Sequence, residues 1–230
     1  MDRLLIHVEG ETEETFVNEL LAPHLYGCGF VSVSARLLGN ARRRDRRGGI
    51  QGWPPSKKDI LRHLREDPNR SCTMMVDFYA LPQSGSGAWP GRAEAASLPF
   101  SQKAAAVETR IFASLREDLG GDLSARRFVP FVMMHEFEAL LFSDCARFGQ
   151  GIGRPELAAD FQAIRDHFES PEEINDSPIT APSKRVLDLV PGYQKPLLGN
   201  LAALEIGLGA ICAACPHFDG WVRQLEGLAR

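Results

Sequence analysis

Four carboxylates follow directly on short apolar runs in this chain. Glu9 follows Leu4 to Val8, Asp77 falls near the end of Ser71 to Tyr79, and Glu136 and Glu138 come just after Arg127 to Met134. If the apolar runs are neighbouring parallel strands, about 4.8 Å apart, the acids at their ends converge. Converging carboxylates repel one another unless a cation neutralises them. Mg²⁺ or Mn²⁺ is the expected cation, because a hard ion takes oxygen ligands and leaves positions open for a phosphate. A metal held this way can polarise a phosphoryl oxygen and help to generate hydroxide, the chemistry that hydrolysis of a phosphodiester needs. Taken singly, each acid is equally explained as a helix cap. Glu11, Glu13 and Glu14 are read as first-turn acids that complement a helix dipole.

Cations must meet the phosphate charge from the substrate side. Ser183-Lys184-Arg185 follows Pro182 at a helix start, where side-chain charge and helix dipole act on the same anion. Lys195, two residues after Tyr193 in a proline-flanked turn, is a second candidate. Arg42, Arg43 and Arg44 open a compact basic loop that suits non-specific contact with nucleic acid. Trp53 and Trp89 lie in irregular stretches and could stack on unpaired bases. The plain alternatives are solvated lysines and arginines and surface-packed aromatics.

The elements that must hold these groups alternate. Leu4 to Val8 reads as a buried parallel strand, after which Gly10 turns the chain and Thr12 caps a helix running through Leu21. Phe30 to Leu38 reads as a second strand, Lys57 to Glu66 as a helix, and Ser71 to Tyr79 as a third strand. Leu81 to Phe100 reads as a long loop and Gln102 to Leu119 as a helix. Arg127 to Met134 is the fourth strand, interrupted or placed at an edge by Pro130. Beyond it the pattern is helical, over 155–169, 183–189, 197–215 and 218–228. Strands alternating with helices imply a mostly parallel sheet flanked by helices, a Rossmann-like α/β core over residues 1–145, with a C-terminal helical region over 146–230 packed on it as a cap.

The 230 residues are 44% hydrophobic and 24% charged with a net charge of -4, which excludes a protein that coats nucleic acid with its whole surface. No apolar run reaches membrane-spanning length and the first residues lack a signal-peptide pattern, so a cytoplasmic protein with no membrane partner is expected. Cys212 and Cys215 have CxxC spacing but no second pair, and they are read as buried free thiols.

Glu9-Gly10 after a first strand and Asp77 after a later one resemble the Toprim fold shared by topoisomerases, primases and OLD-type nucleases. The stretches VEGETEETFV, MMVDFYALP, HEFEALLFSD, APSKR, Tyr193-Gln194-Lys195 and CPHFDGW also resemble an uncharacterised bacterial family related to that fold. The resemblance spans Val8 to Trp221. It implies Glu9, Asp77 and Glu138 as metal ligands, with Glu9 a ligand or a general acid or base through water. Glu136 or Glu138 would complete the shell and act as further catalytic groups, and the charge arguments above add Lys184 to them and place Arg185 and Lys195, with Arg42, Arg43 and Arg44, on the substrate. The resemblance further implies a nuclease of an anti-phage or mobile-element system working with an ATPase partner; the chain itself has no Walker motif. The Toprim Asp-x-Asp pattern would put an acid where Tyr79 stands. That departure supports the alternative, a non-catalytic Toprim-like regulatory or binding subunit. A phosphotransferase or small-molecule phosphatase using the same acids is a third possibility.

Overall fold

A computed structural model describes residues 2–39, 50–174 and 180–229. Arg42, Arg43 and Arg44 lie outside the described residues. Five strands form the sheet: β1 (Arg3–Val8), β2 (Ser32–Leu37), β3 (Arg70–Asp77), β4 (Phe128–Val129) and β5 (Val132–Met133). Their order is β2-β1-β3-β4, with β5 also on β3, and every described pairing is parallel. The architecture is α/β, with a parallel sheet between helical layers, as its alternating strands and helices predict.

Pro130 accounts for the split between β4 and β5, since it has no N–H to give the ladder. The first helical segment comprises α1 (Glu11–Phe16), a π-helical turn over Val17–Leu21 and α2 (Ala22–Gly27). Thr12 is not its cap. Gly10, in extended backbone, is itself the N-cap residue, so the helix starts at Glu11, with the Glu14 N–H on the Gly10 carbonyl at 3.0 Å, and Thr12 is buried inside the first turn. Helix α3 spans Trp53–Glu66.

The stretch expected as a loop after β3 contains a short helix, α4 (Arg92–Ala95), ahead of α5 (Phe100–Leu119). Trp53 and Trp89 are buried there with ring centroids 5.0 Å apart. Their indole N–H groups donate to Ser114 Oγ and the Gln51 carbonyl, so they are core residues and do not stack on bases.

The C-terminal third supplies α6 (Glu138–Leu141), α7 (Cys145–Gly151), α8 (Ala158–Arg165), α9 (Pro182–Leu189), α10 (Asn200–Ile206), α11 (Leu208–Ala214) and α12 (Pro216–Leu228). The single helix expected over 197–215 is broken at Gly207, whose φ of +82° ends α10 and turns the chain by 85° into α11. No single helix among the described residues is long and apolar enough to cross a membrane. Cys212 and Cys215 are free thiols, the second fully buried.

Strand alternation sorts β1 between two apolar clusters. Leu4, Ile6 and Val8 face α1, α2 and the C-terminal helices, while Leu5 faces α3 and α5. The first cluster runs from Leu4 to Leu228, so the C-terminal helices share a core with the sheet. Trp221 of α12 anchors it, stacked on Phe131 at 4.4 Å with its indole N–H on Thr73 Oγ1 of β3.

Candidate functional site

Parallel pairing places Val8 opposite Met75, so the chain leaves β1 at Glu9 as β3 approaches its last residue, Asp77. The Asp77 N–H lies 3.3 Å from Glu9 Oε2. The two acids, 68 residues apart in sequence, therefore meet at the carboxyl edge of the sheet, where open α/β sheets place ligands. Glu138, the first residue of α6, enters the same place from the segment after β5. Its side chain is fully buried.

Glu13 also belongs to this site, although its place in the first turn of a helix suggested only a dipole role. The signal was its spacing: four residues from Glu9, one helical turn brings its carboxylate back over the strand end. Its side chain is buried.

Lys195 sits among these acids. It begins a π-helical turn over Lys195–Gly199 that leads into α10, and the Asn200 amide ties that turn to α1 by donating to the Thr12 carbonyl at 3.2 Å. Lys195 Nζ lies 3.2 Å from Glu138 Oε2, 3.4 Å from Asp77 Oδ2 and 3.8 Å from Glu13 Oε1. Expected as a phosphate contact, its ammonium is instead engaged by three carboxylates, with a third of the side chain still reached by solvent.

The electrostatics are unbalanced. One ammonium faces Glu13, Asp77 and Glu138, with Glu9 beside them. Burial, with Glu13 nearby, pushes Glu9 up to about 7. Burial drives Asp77 well above the ordinary carboxylate range, against the pull of Lys195, and raises Glu138 too. Burial opposes the charge on Lys195, but the acids outweigh it and hold the amine protonated. Asp77 Oδ1 is buried without a hydrogen-bond partner, whereas Glu138 Oε2 is paired with the Lys195 ammonium at 3.2 Å. The Tyr193 hydroxyl is likewise buried and unpartnered, and burial beside Glu138 keeps it protonated.

Unpartnered buried carboxylate oxygens are costly, and a hard cation would satisfy them. Glu9, Glu13, Asp77 and Glu138 offer only oxygen, the donor type Mg²⁺ and Mn²⁺ take, but no three of these residues bring their oxygens within 4.8 Å of one another. Lys195 Nζ holds the central position among these oxygens.

The remaining candidates fall around this cluster. Glu136 is turned to α9, where its Oε2 accepts from the Ser183 N–H at 3.1 Å. Lys184 is exposed on the first turn of that helix. Arg185 donates to the Thr180 carbonyl and lies over the Phe168 ring, so its guanidinium is engaged structurally. Tyr79 sits edge-on to the buried His135 ring, with centroids 6.0 Å apart.

A family model described as a domain of unknown function, DUF4276, matches residues 8–226. Comparison with curated proteins and with solved structures finds no match.

Proposed function

We propose, from the premise that the chain belongs to the DUF4276 family, that it is a metal-dependent phosphodiester hydrolase acting on nucleic acid, with a Toprim-like core. One observation carries this reading. Glu9 and Asp77, from adjacent parallel strands, converge with Glu13 and Glu138 in one buried cluster that retains an unpartnered Asp77 Oδ1.

Asp77, Glu9 and Glu138 would hold Mg²⁺ or Mn²⁺. The ion would supply Lewis-acid polarisation of a phosphoryl oxygen and a hydroxide nucleophile at neutral pH. The protein's own groups do the rest. Where Asp77 and Glu138 alone hold the ion, Glu9, at the rim of the cluster, would instead take a proton from an incoming water. Lys195 balances the acids before substrate arrives, and its solvent-reached side can meet phosphate. Glu136 ties the start of α9 to the segment after β5 by accepting from the Ser183 N–H, next to the exposed Lys184. The resemblance to OLD-type nucleases adds a separate ATPase subunit as partner.

The test is incubation with single- and double-stranded DNA and RNA in Mg²⁺ or Mn²⁺. Cleavage is expected to require the metal and to be lost in both Glu9→Gln and Asp77→Asn. Cleavage that survives both substitutions would sink the proposal. A second reading, a regulatory or binding subunit without turnover, is favoured by Lys195 standing at the centre of the acids and by Tyr79 in place of an acid. Calorimetry separates the two readings: stoichiometric Mn²⁺ binding lost in Asp77→Asn supports the hydrolase, and no Mn²⁺ binding supports the subunit.

A further inference from the structure

A second constellation lies between α2 and α12. His24 and Cys28 are four residues apart at the end of α2, so both project from one side of it. Glu226 reaches them from the last turn of α12. His24 Nε2 is 2.7 Å from Glu226 Oε1 and 3.8 Å from Cys28 Sγ, and the three donor atoms all lie within 4.8 Å of one another. The surrounding backbone is packed: Leu25, Leu225 and Leu228 are buried in the same apolar cluster. Gly29, at a φ of +115°, leaves only 3.5 Å between an added Cβ and the Ala229 carbonyl.

We propose that His24, Cys28 and Glu226 bind a divalent transition metal of the zinc class, clamping the end of α2 to α12. The donor chemistry is the argument. Imidazole nitrogen, thiolate sulfur and carboxylate oxygen are the three ligand types zinc takes. At bond lengths of about 2.0–2.3 Å, a tetrahedral centre spaces its donors about 3.3–3.7 Å apart. The distances from His24 Nε2 bracket that range, so small side-chain rotations suffice. The sheet-edge acids offer oxygen alone and select hard cations, whereas a thiolate selects a softer one. Thiolate and carboxylate together carry two negative charges, which a divalent ion cancels. His24 is exposed and Cys28 and Glu226 are partly so, leaving room for water as a fourth ligand. Metal binding needs a neutral imidazole and a thiolate, so it weakens as pH falls.

The test is titration of the reduced, metal-free protein with Co²⁺ and Zn²⁺. One equivalent of Co²⁺ is expected to produce a thiolate-to-cobalt charge-transfer band, which oxygen ligands at the sheet edge cannot give. Cys28→Ser is expected to abolish the band, and His24→Ala and Glu226→Gln to weaken Co²⁺ affinity by about tenfold or more. Zn²⁺ is expected to raise the melting temperature of the native chain and not that of Cys28→Ser. No band at a tenfold excess of Co²⁺, or a band that persists in Cys28→Ser, overturns the proposal.

Discussion

β1 carries two buried polar clusters two residues apart, and they are built on opposite principles. His7 is fully buried against α3, yet its ring is matched atom by atom. His7 Nδ1 lies 3.0 Å from the Thr73 carbonyl and Nε2 lies 2.9 Å from His63 Nδ1, while Arg62 Nη2 is 3.1 Å from His63 Nε2. A carbonyl only accepts and a guanidinium only donates, so the direction of the chain is fixed: Arg62 donates to His63, His63 to His7, and His7 to Thr73. Burial holds His7 down at about 3, so the ring stays neutral. At the end of the same strand, Glu9 joins acids that outnumber their one cation and leave oxygens unpaired. A satisfied buried network stabilises a fold; an unsatisfied one with raised carboxylate pKa values is what the proposed metal site rests on.

The sharpest way to break this contrast is to remove the cation. Lys195→Met leaves buried acids facing one another and is expected to cost about 3 kcal/mol, the low end for a broken buried pair because the lysine is partly solvated. Adding Glu138→Gln should recover part of it. An unchanged urea midpoint in the single variant would show that the acids do not depend on Lys195.

A smaller effect separates the clusters by pH, measured as urea midpoints in EDTA. Glu9 is raised from 4.5 to about 7, so its contribution is complete below pH 4.5 and is lost as pH rises through 7. His7 is lowered from 6.5 to about 3, so its contribution is complete above pH 6.5 and is lost as pH falls towards 3. Glu9→Gln should flatten the alkaline limb, gaining about 1–2 kcal/mol at pH 8 after allowance for its partial exposure. The acid limb should survive that change and flatten in His7→Phe. A Glu9→Gln profile parallel to the native one would refute the assignment.

Next in size, His63→Ala strips the donor from His7 Nε2 and should cost about 1–2 kcal/mol. Mn²⁺ binding at the sheet edge should be untouched. The smallest expected change is Lys184→Ala, which should leave the urea midpoint in place and only reduce the salt dependence of nucleic-acid binding. A shifted midpoint would make Lys184 a structural residue.

Some of this was legible in the chain because it is local. The apolar run before Glu9, the turn allowed by Gly10 and the run into Asp77 specify strands that end in acid. A parallel sheet then brings those ends together. Glu13 does lie in the first helical turn, as its position suggests; its second contact, with Lys195, was not legible because it depends on a segment far away in the sequence. Trp53 and Trp89 were misread because flanking Gly and Pro look like an exposed loop until the two indoles pack on each other. Gly207 lies within an apolar helical pattern, and its positive φ, which breaks that helix, is not visible in the hydrophobic period.

By itself, the sequence determined the alternation of strands and helices, the interruption at Pro130 and the acids at strand ends, since each follows from near-neighbour sterics and hydrophobic period. Only the tertiary structure decided which charges share a space. Lys195 joins Asp77 across 118 positions, and His24 joins Glu226 across 202. Such pairings depend on how whole layers dock, and burial, set by that docking, is what turns an ordinary carboxylate into one that resists its charge.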